Sequence, residues 1–473
     1  MVASIFFCPL IKKALWEVIC MEQRNIDFFK ETVEEMLEKQ DLEALRLYLE
    51  ELHPYEIGAL LDELEESKQL VILSLTPPEA AAEALEHLDY DDQYRLLDHL
   101  DEQSASKIIA AMGRDAIADL LMAIHPNKAQ AIMAMIPREY LESIKFLMSY
   151  PEDSAGGIMS LDYIQARQYW TIERVIEHFR KVGRKQSVTN YIYIVDAVGK
   201  LVGVLSLKEL LLNDPKTKLE DVMHTNIITV LATADQEEAA KLMSQYDLMI
   251  LPVVNEQGRL VGVITADDIM DVIEEEDTED IHRLGGSQPL DLPYLESALT
   301  TLFSKRIGWL VVLFATQAVT SNILKHYEGV LSSVVALTFF MPLLAGVGGN
   351  SGTQASSLII RGLALGEITV QDIAVILFKE LRVSALIGIV MGTIGYFFAW
   401  MVSGSTSVAA VVAVTITVVL IVSSTIGAIL PIVGRAFRLD PAVFSAPLIS
   451  TVVDITSLTV YFNIAIKLLK LGG

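Results

Sequence analysis

The sequence predicts a multidomain chain: an all-α superhelical amino-terminal domain, a tandem pair of α/β repeats, and a transmembrane domain of five helices. Three observations predict it. Residues 1–304 hold 55 of the 61 acids and 26 of the 36 bases, so one part is acidic and the other nearly free of charge. Two stretches, anchored on Gly203 and Gly262, repeat one another 59 residues apart. Five long apolar runs follow Ser304.

The helical domain, taken as residues 21–150, rests on apolar residues at three and four spacing. Units such as "YEIGALLDEL", "PEAAAEALEHL", "DDQYRLLDHL", "RDAIADLLMAI" and "NKAQAIMAMI" recur and suggest stacked helical hairpins. Nothing in them resembles a catalytic constellation. The formal net charge of −25 argues against a nucleic-acid surface, because phosphates would be repelled, and favours cationic partners or plain solubility. Cys8 and Cys20 imply no disulfide framework. Lys12 and Lys13 interrupt the apolar run around those cysteines, so it does not read as a signal peptide. Residues 1–20 are therefore expected to be an upstream extension, with translation starting at Met21.

The repeats are "YIYIVDAVGKLVGVLSLKELL" from Tyr191 and "MILPVVNEQGRLVGVITADDIM" from Met249, with a weaker match between "GGIMS" at 156–160 and "EDVMH" at 220–224. Each reads as strand, Gly-containing turn, second strand ending at Ser206 or Thr265, then helix. This resembles a tandem pair of CBS domains, over 151–215 and 216–275, a regulatory module that often holds adenine nucleotides. An acidic connecting helix follows in the region 276–306. Nine of the fourteen residues 267–280 are Asp or Glu, so the run must repel itself unless something neutralises it.

The transmembrane domain, 307–473, offers spans at Ile307–Leu324, Leu331–Gly362, Val383–Val402, Val408–Val433 and Val443–Ile466, each near the roughly 20 residues a bilayer requires. Lys305, Arg306, Arg361, Lys379, Arg382, Arg435 and Arg438 lie on one set of loops, which places the amino terminus in the cytoplasm and the carboxyl terminus outside. "MPLLAGVGGNSGTQASS" is expected to interrupt the second span, either for close helix packing or to line a pore. Asp454 sits in mid-span, where a charged acid costs on the order of 2.5–3.5 kcal/mol. With no Lys or Arg in any apolar core, a cation site is the favoured explanation. Mg²⁺ keeps several waters and takes one or two carboxylates. A homodimer around a shared pore would supply two copies of Asp454, with Ser450, Thr451, Asn350 and Thr353 near the hydration shell.

With "GVGGNSGTQASSLIIRGLA" and "DPAVFSAPLISTVVDITSL" added to this order of parts, the chain after Met21 resembles the MgtE family of magnesium channels and transporters. The resemblance implies a homodimer in the plasma membrane serving Mg²⁺ homeostasis, with no dedicated protein partner. It implies a pore along the second and fifth helices, lined by Asn350, Thr353, Ser357, Ser450 and Thr451. Asp454 matches the selectivity acid and Asp440 a further ion-binding acid near the cytoplasmic entrance. It also implies that cytosolic Mg²⁺ closes the pore through Glu83, Asp115 and Asp119 of the helical domain, Glu237, Asp247, Asp268 and Asp271 of the second CBS copy, and Glu276, Glu279 and Asp280 of the connecting helix. Asp115 and Asp119 share a helix face, as a shared divalent site requires. Some relatives bind ATP in the CBS pair. Here Lys208 and Glu209 replace an Arg-Asp pair as candidate nucleotide contacts, and Leu248 takes an aromatic position. Thr353 and Ala446 depart from the Asn that related sequences offer.

Rival readings are a CBS-regulated channel for chloride or another divalent cation, and a membrane-tethered nucleotide sensor. A central Asp argues against an anion path, which favours basic side chains or helix amino termini. A sensor would have no use for a mid-span acid. None of the eight His joins a Cys or carboxylate at a catalytic spacing, so no enzyme is expected.

Overall fold

The computed structural model describes residues 26, 28–183, 188–290, 294–295, 297–437 and 446–470. The expected extension 1–20, the Met21 start and Asp440 lie outside them. The chain forms two compact units, one ending at Val272 and one beginning at Ile273.

In the first unit, helices of seven to ten residues follow one another from Leu42–Glu51 to Leu141–Leu147. Their starts are written locally. Pro54, Pro78 and Pro126 occupy first helical positions, where a missing N–H costs nothing. Asp41 and Asp101 accept from backbone N–H groups of the first turn. Each helix packs on the one after next, Pro54–Asp62 on Pro78–Glu86 and Glu66–Leu75 on Tyr90–His99, so two rows interlock into the expected superhelix. Gly58 permits one such approach, since a methyl there would stand 2.8 Å from the Ala84 carbonyl oxygen.

Two small sheets complete this unit. β1 (Tyr163–Arg167) runs parallel to β2 (Val188–Val195), which is antiparallel to β3 (Leu201–Ser206). β4 (Val230–Leu231), β5 (Ile250–Val254) and β6 (Leu260–Thr265) repeat that order. The hairpin turns match as well. Asp196 Oδ1 accepts from Val198 and Lys200 N–H, and Asn255 Oδ1 from Gln257 and Arg259 N–H, with Gly199 at φ +85° and Gly258 at φ +72°. The halves also exchange contacts. Met223, near the start of the second copy, packs on Gly203 of the first, and Met159, near the start of the first, packs on Gly262 of the second. Ser160 bridges Val263 just as His224 bridges Val204. The weak "GGIMS" and "EDVMH" match is thus a symmetric swap that ties the repeats together. Tyr193, Val195, Leu201, Val254, Leu260 and Val263 form the core between them.

The acidic run lies on one continuous helix, Ala266–Leu284, rather than on a separate element starting at 276. Among the described residues four helices of the second unit are long and apolar enough to cross a membrane: Leu299–His326, Val335–Ala364 with its opening 3-10 turn, Thr406–Ala436 and Ala446–Leu469. The remaining candidate lies in Ile373–Ser403, a 31-residue helix whose charges, Lys379, Glu380 and Arg382, all precede Val383.

One expectation needs correction. The glycine-rich run does not interrupt the second span, because Met341–Ala364 is a single helix through Gly346, Gly348, Gly349 and Gly352. The irregular backbone lies upstream, around Val334 and the 3-10 turn Val335–Phe340. The glycines serve close packing instead. A methyl on Gly348 would stand 2.7 Å from Ser457 Oγ and 2.9 Å from Val419 and Val453, and one on Gly352 would meet Ile449, Val453 and the Ser423 carbonyl. Gly427 meets Gly352 backbone to backbone.

Candidate functional site

Two places gather the residues singled out from the sequence. In the membrane unit, Ile449, Val453, Ser457, Tyr461 and Ala465 form a buried stripe at four-residue spacing on helix Ala446–Leu469. Gly348, Gly349 and Gly352 press against that stripe and Ser450, which sets Asn350 at the level of Asp454. Asp454 flanks the stripe and is half-buried. No basic side chain among the described residues pairs with it. On helix Met341–Ala364 Asn350 and Ser357 are exposed in the single chain, Thr353 is half-buried and Gly346 faces open space, while Ser450, one turn before Asp454 on its own helix, is half-buried. Asn350, Thr353 and Ser357 thus share one face of an apolar helix, and Asn350 on that face is exposed at the height of the acid. Thr451 does not join them, being buried with its Oγ1 donating to the Pro447 carbonyl at 2.8 Å.

In the first unit, Asp115 and Asp119 of helix Arg114–Ala123 face Asp268 of helix Ala266–Leu284 and Glu86 of helix Pro78–Glu86. Burial pushes the Asp119 carboxyl up to about 7, helped by the charges of Asp115, Glu152, Asp268 and Glu86. Glu86 is exposed as a residue, yet the packing around its carboxyl raises it to about 7, by burial first and then by the charges of Asp115 and Glu83. Asp268 rises to about 6 through burial, against the pull of its hydrogen bond from Thr265. Asp115 is raised by burial, which its Ser160 hydrogen bond opposes. The nearest base, Arg114, is committed to Asp162 and lies over the Tyr140 ring. Among the described residues the charged neighbours that act on these carboxyls are acids, so the group is an acidic cluster. Glu86 and Glu152 join it only through tertiary packing; Glu86 lies one turn beyond Glu83, which was the signal available.

The other acids are spread out. Glu237 and Asp247 stand at opposite ends of one helix, the second as its left-handed cap at φ +51°. Asp271 is exposed, while Glu276, Glu279 and Asp280 are half-buried on the long helix, where Glu279 pairs with Arg283. Among the described residues no three His, Cys, Asp or Glu side chains converge closely enough to chelate an ion directly. Glu209 is fully engaged: it accepts from Ser206 N at 3.0 Å and Ser206 Oγ at 2.8 Å and meets His224 Nε2 at 2.6 Å, and the His224 bond foremost holds it down to about 2.

Comparison with known proteins gives the family to which these domains belong. The MgtE domain, described as a divalent cation transporter, matches residues 341–464. The MgtE intracellular N domain matches 52–153, and CBS domains match 155–215 and 219–275. The magnesium transporter MgtE of Thermus thermophilus is 38% identical over 444 residues, 93% of this chain and 98% of that protein. The chain belongs to the MgtE family. A second MgtE, from Bacillus subtilis, is 32% identical over 430 residues, 91% of this chain and 95% of its own. A crystal structure of the cytosolic domain of the Mg²⁺ channel MgtE in complex with ATP aligns with TM-score 0.50 and 38% identity, covering 51% of this chain and 99% of that one. As an MgtE-family member the chain is a multi-pass membrane protein with a cytosolic amino-terminal domain, a transporter and not an enzyme.

Proposed function

We propose that this MgtE-family protein carries Mg²⁺ across the plasma membrane as a homodimer, with its carboxyl terminus outside. Asp454 carries the proposal: it is a half-buried acid with no basic partner among the described residues, near the exposed Asn350 and Ser357 and the half-buried Thr353 and Ser450. A second copy across those residues would enclose a polar passage with two facing carboxylates. Such a pair suits a cation that keeps its waters, which the neighbouring amide and hydroxyls would hold. Asp440 is assigned the cytoplasmic entrance.

Internal Mg²⁺ closes the passage in this reading. Asp115, Asp119 and Asp268, with Glu83 and Glu86, repel one another, and no base among the described residues shifts their carboxyls, so they suit a divalent cation. Since no three carboxylates converge, the ion would be held partly through its waters. Glu237, Asp247, Asp271, Glu276, Glu279 and Asp280 would contribute through the domain assembly in the dimer. Ions that bind only the closed arrangement shift the population towards it. The segment divisions at 150, 215, 275 and 306 belong to the same reading. ATP fits less well, because both Glu209 oxygens are already committed and only Lys208 is left to meet a phosphate. No step is assigned to it.

The test is ion flux into proteoliposomes bearing the full chain, comparing Mg²⁺, other divalent cations and chloride while Mg²⁺ on the cytosolic-domain side is varied. Mg²⁺ flux that falls as that concentration rises is expected. Chloride flux, or flux of another divalent cation in preference to Mg²⁺, refutes the assignment.

A further inference from the structure

The connecting helix Ala266–Leu284 ends in a joint that the gating scheme has not used. Gly285 N donates to Ile281 O, Gly286 N to Arg283 O and Ser287 N to His282 O, so the last carbonyls are satisfied and Gly286 adopts φ +73°. Two residues on, Gln288 N donates to Lys305 O at 3.0 Å, tying this end to the foot of the first span. A methyl built on Gly286 would lie 2.7 Å from both Cδ1 and Nε1 of Trp309 and 3.4 Å from Cγ of Pro447. One indole of the first span therefore touches the end of the connecting helix where that end also reaches the first turn of the last span. Asp454 lies about two helical turns beyond Pro447 on the same rigid helix.

Around the indole the joint is held by packing, beside the single backbone bond from Gln288 N to Lys305 O. Trp309 Nε1 and His282 Nδ1 are both buried and have no partner among the described residues. Water would satisfy both if the joint opened, so the packed arrangement carries a polar cost that opening returns. A contact of that kind can be released by a modest pull on the connecting helix. A fully hydrogen-bonded joint could not.

We infer that Trp309 is a positioning residue that transmits movement of the connecting helix to Pro447, and through the last helix to Asp454. The inference rests on the reading that internal Mg²⁺ gates the pore. It is tested by Mg²⁺ flux in proteoliposomes carrying the full chain, measured against Mg²⁺ on the cytosolic-domain side. Trp309→Ala should keep wild-type flux at low internal Mg²⁺ to within about twofold and need about tenfold more Mg²⁺ to close, within the usual range of coupling between sites. Trp309→Phe keeps the ring contact and should close as wild type does. Gly286→Ala pushes a methyl into the indole from the other side and should move the closing concentration too. Closure at the wild-type concentration in Trp309→Ala or in Gly286→Ala overturns the linkage. A wild type indifferent to internal Mg²⁺ overturns the gating reading itself.

Discussion

Replacing Asp119 with Asn probes the repulsion in the acidic cleft without changing its shape. The Asp119 carboxyl stands at about 7 in the fold against an ordinary 3.8. At about 1.4 kcal/mol per pH unit, the ionised group carries a ceiling of roughly 4 kcal/mol of strain. Asp115, Glu86 and Asp268 share that strain, so removing one charge should return on the order of 1–2 kcal/mol. The folded chain binds this proton more tightly than the unfolded chain. Stability is therefore lost as pH rises from about 4 through about 7, and the full cost is present at pH 8. A fragment covering residues 26–285 keeps helix Ala266–Leu284 whole. Its thermal unfolding at pH 8 without divalent cations should rise by about 2–8 °C in Asp119→Asn, and the gain should fall to less than half at pH 5 and towards nothing below the ordinary carboxylate range. Added Mg²⁺ should stabilise the wild type more than the variant, since an ion bound only by the folded cleft acts by mass action. A melting temperature at pH 8 that is unchanged or lowered, or a gain of the same size at pH 5, refutes the reasoning.

Gly348→Val drives a side chain into Ser457, Val419 and Val453 and should cost about 1–3 kcal/mol, visible as a lower unfolding temperature in detergent. Gly346→Ala, whose methyl meets open space, should unfold as wild type. Glu209→Ala removes both the cap on helix Leu207–Leu212 and the His224 partner, so it should lower the melting temperature at neutral pH. Because Glu209 is held down to about 2, that difference should persist above the ordinary carboxylate range and vanish only as pH falls through about 2.

The tandem repeats were legible because turn chemistry and strand alternation are local. Gly199 and Gly258 supply positive φ in matching turns, and Ser206 and Thr265 end matching strands. The exchange of Met159 and Met223 between halves showed only as a faint motif match, because it depends on how the repeats meet. The glycine run was misread as a break because glycine weakens helices in water. Within the bilayer, unsatisfied backbone is costlier than lost propensity, and close approach to the fourth and last spans holds the helix together. Asp454 stood out because few acids follow Ser304. Glu86, Glu152 and the engagement of Glu209 by His224 arise from tertiary contacts that spacing does not encode. Thr451 looked like a pore hydroxyl, yet its bond to the Pro447 carbonyl is one that any Thr in a helix can make.

The most direct measurement is Mg²⁺ uptake by proteoliposomes carrying the Asp454→Asn chain beside wild type at matched protein density. Asn keeps the volume and loses the charge, so the account predicts uptake reduced by about tenfold or more, with folding and dimer formation intact. Uptake equal to wild type would mean that the mid-span acid meets no passing ion, and the assignment of the pore would be wrong.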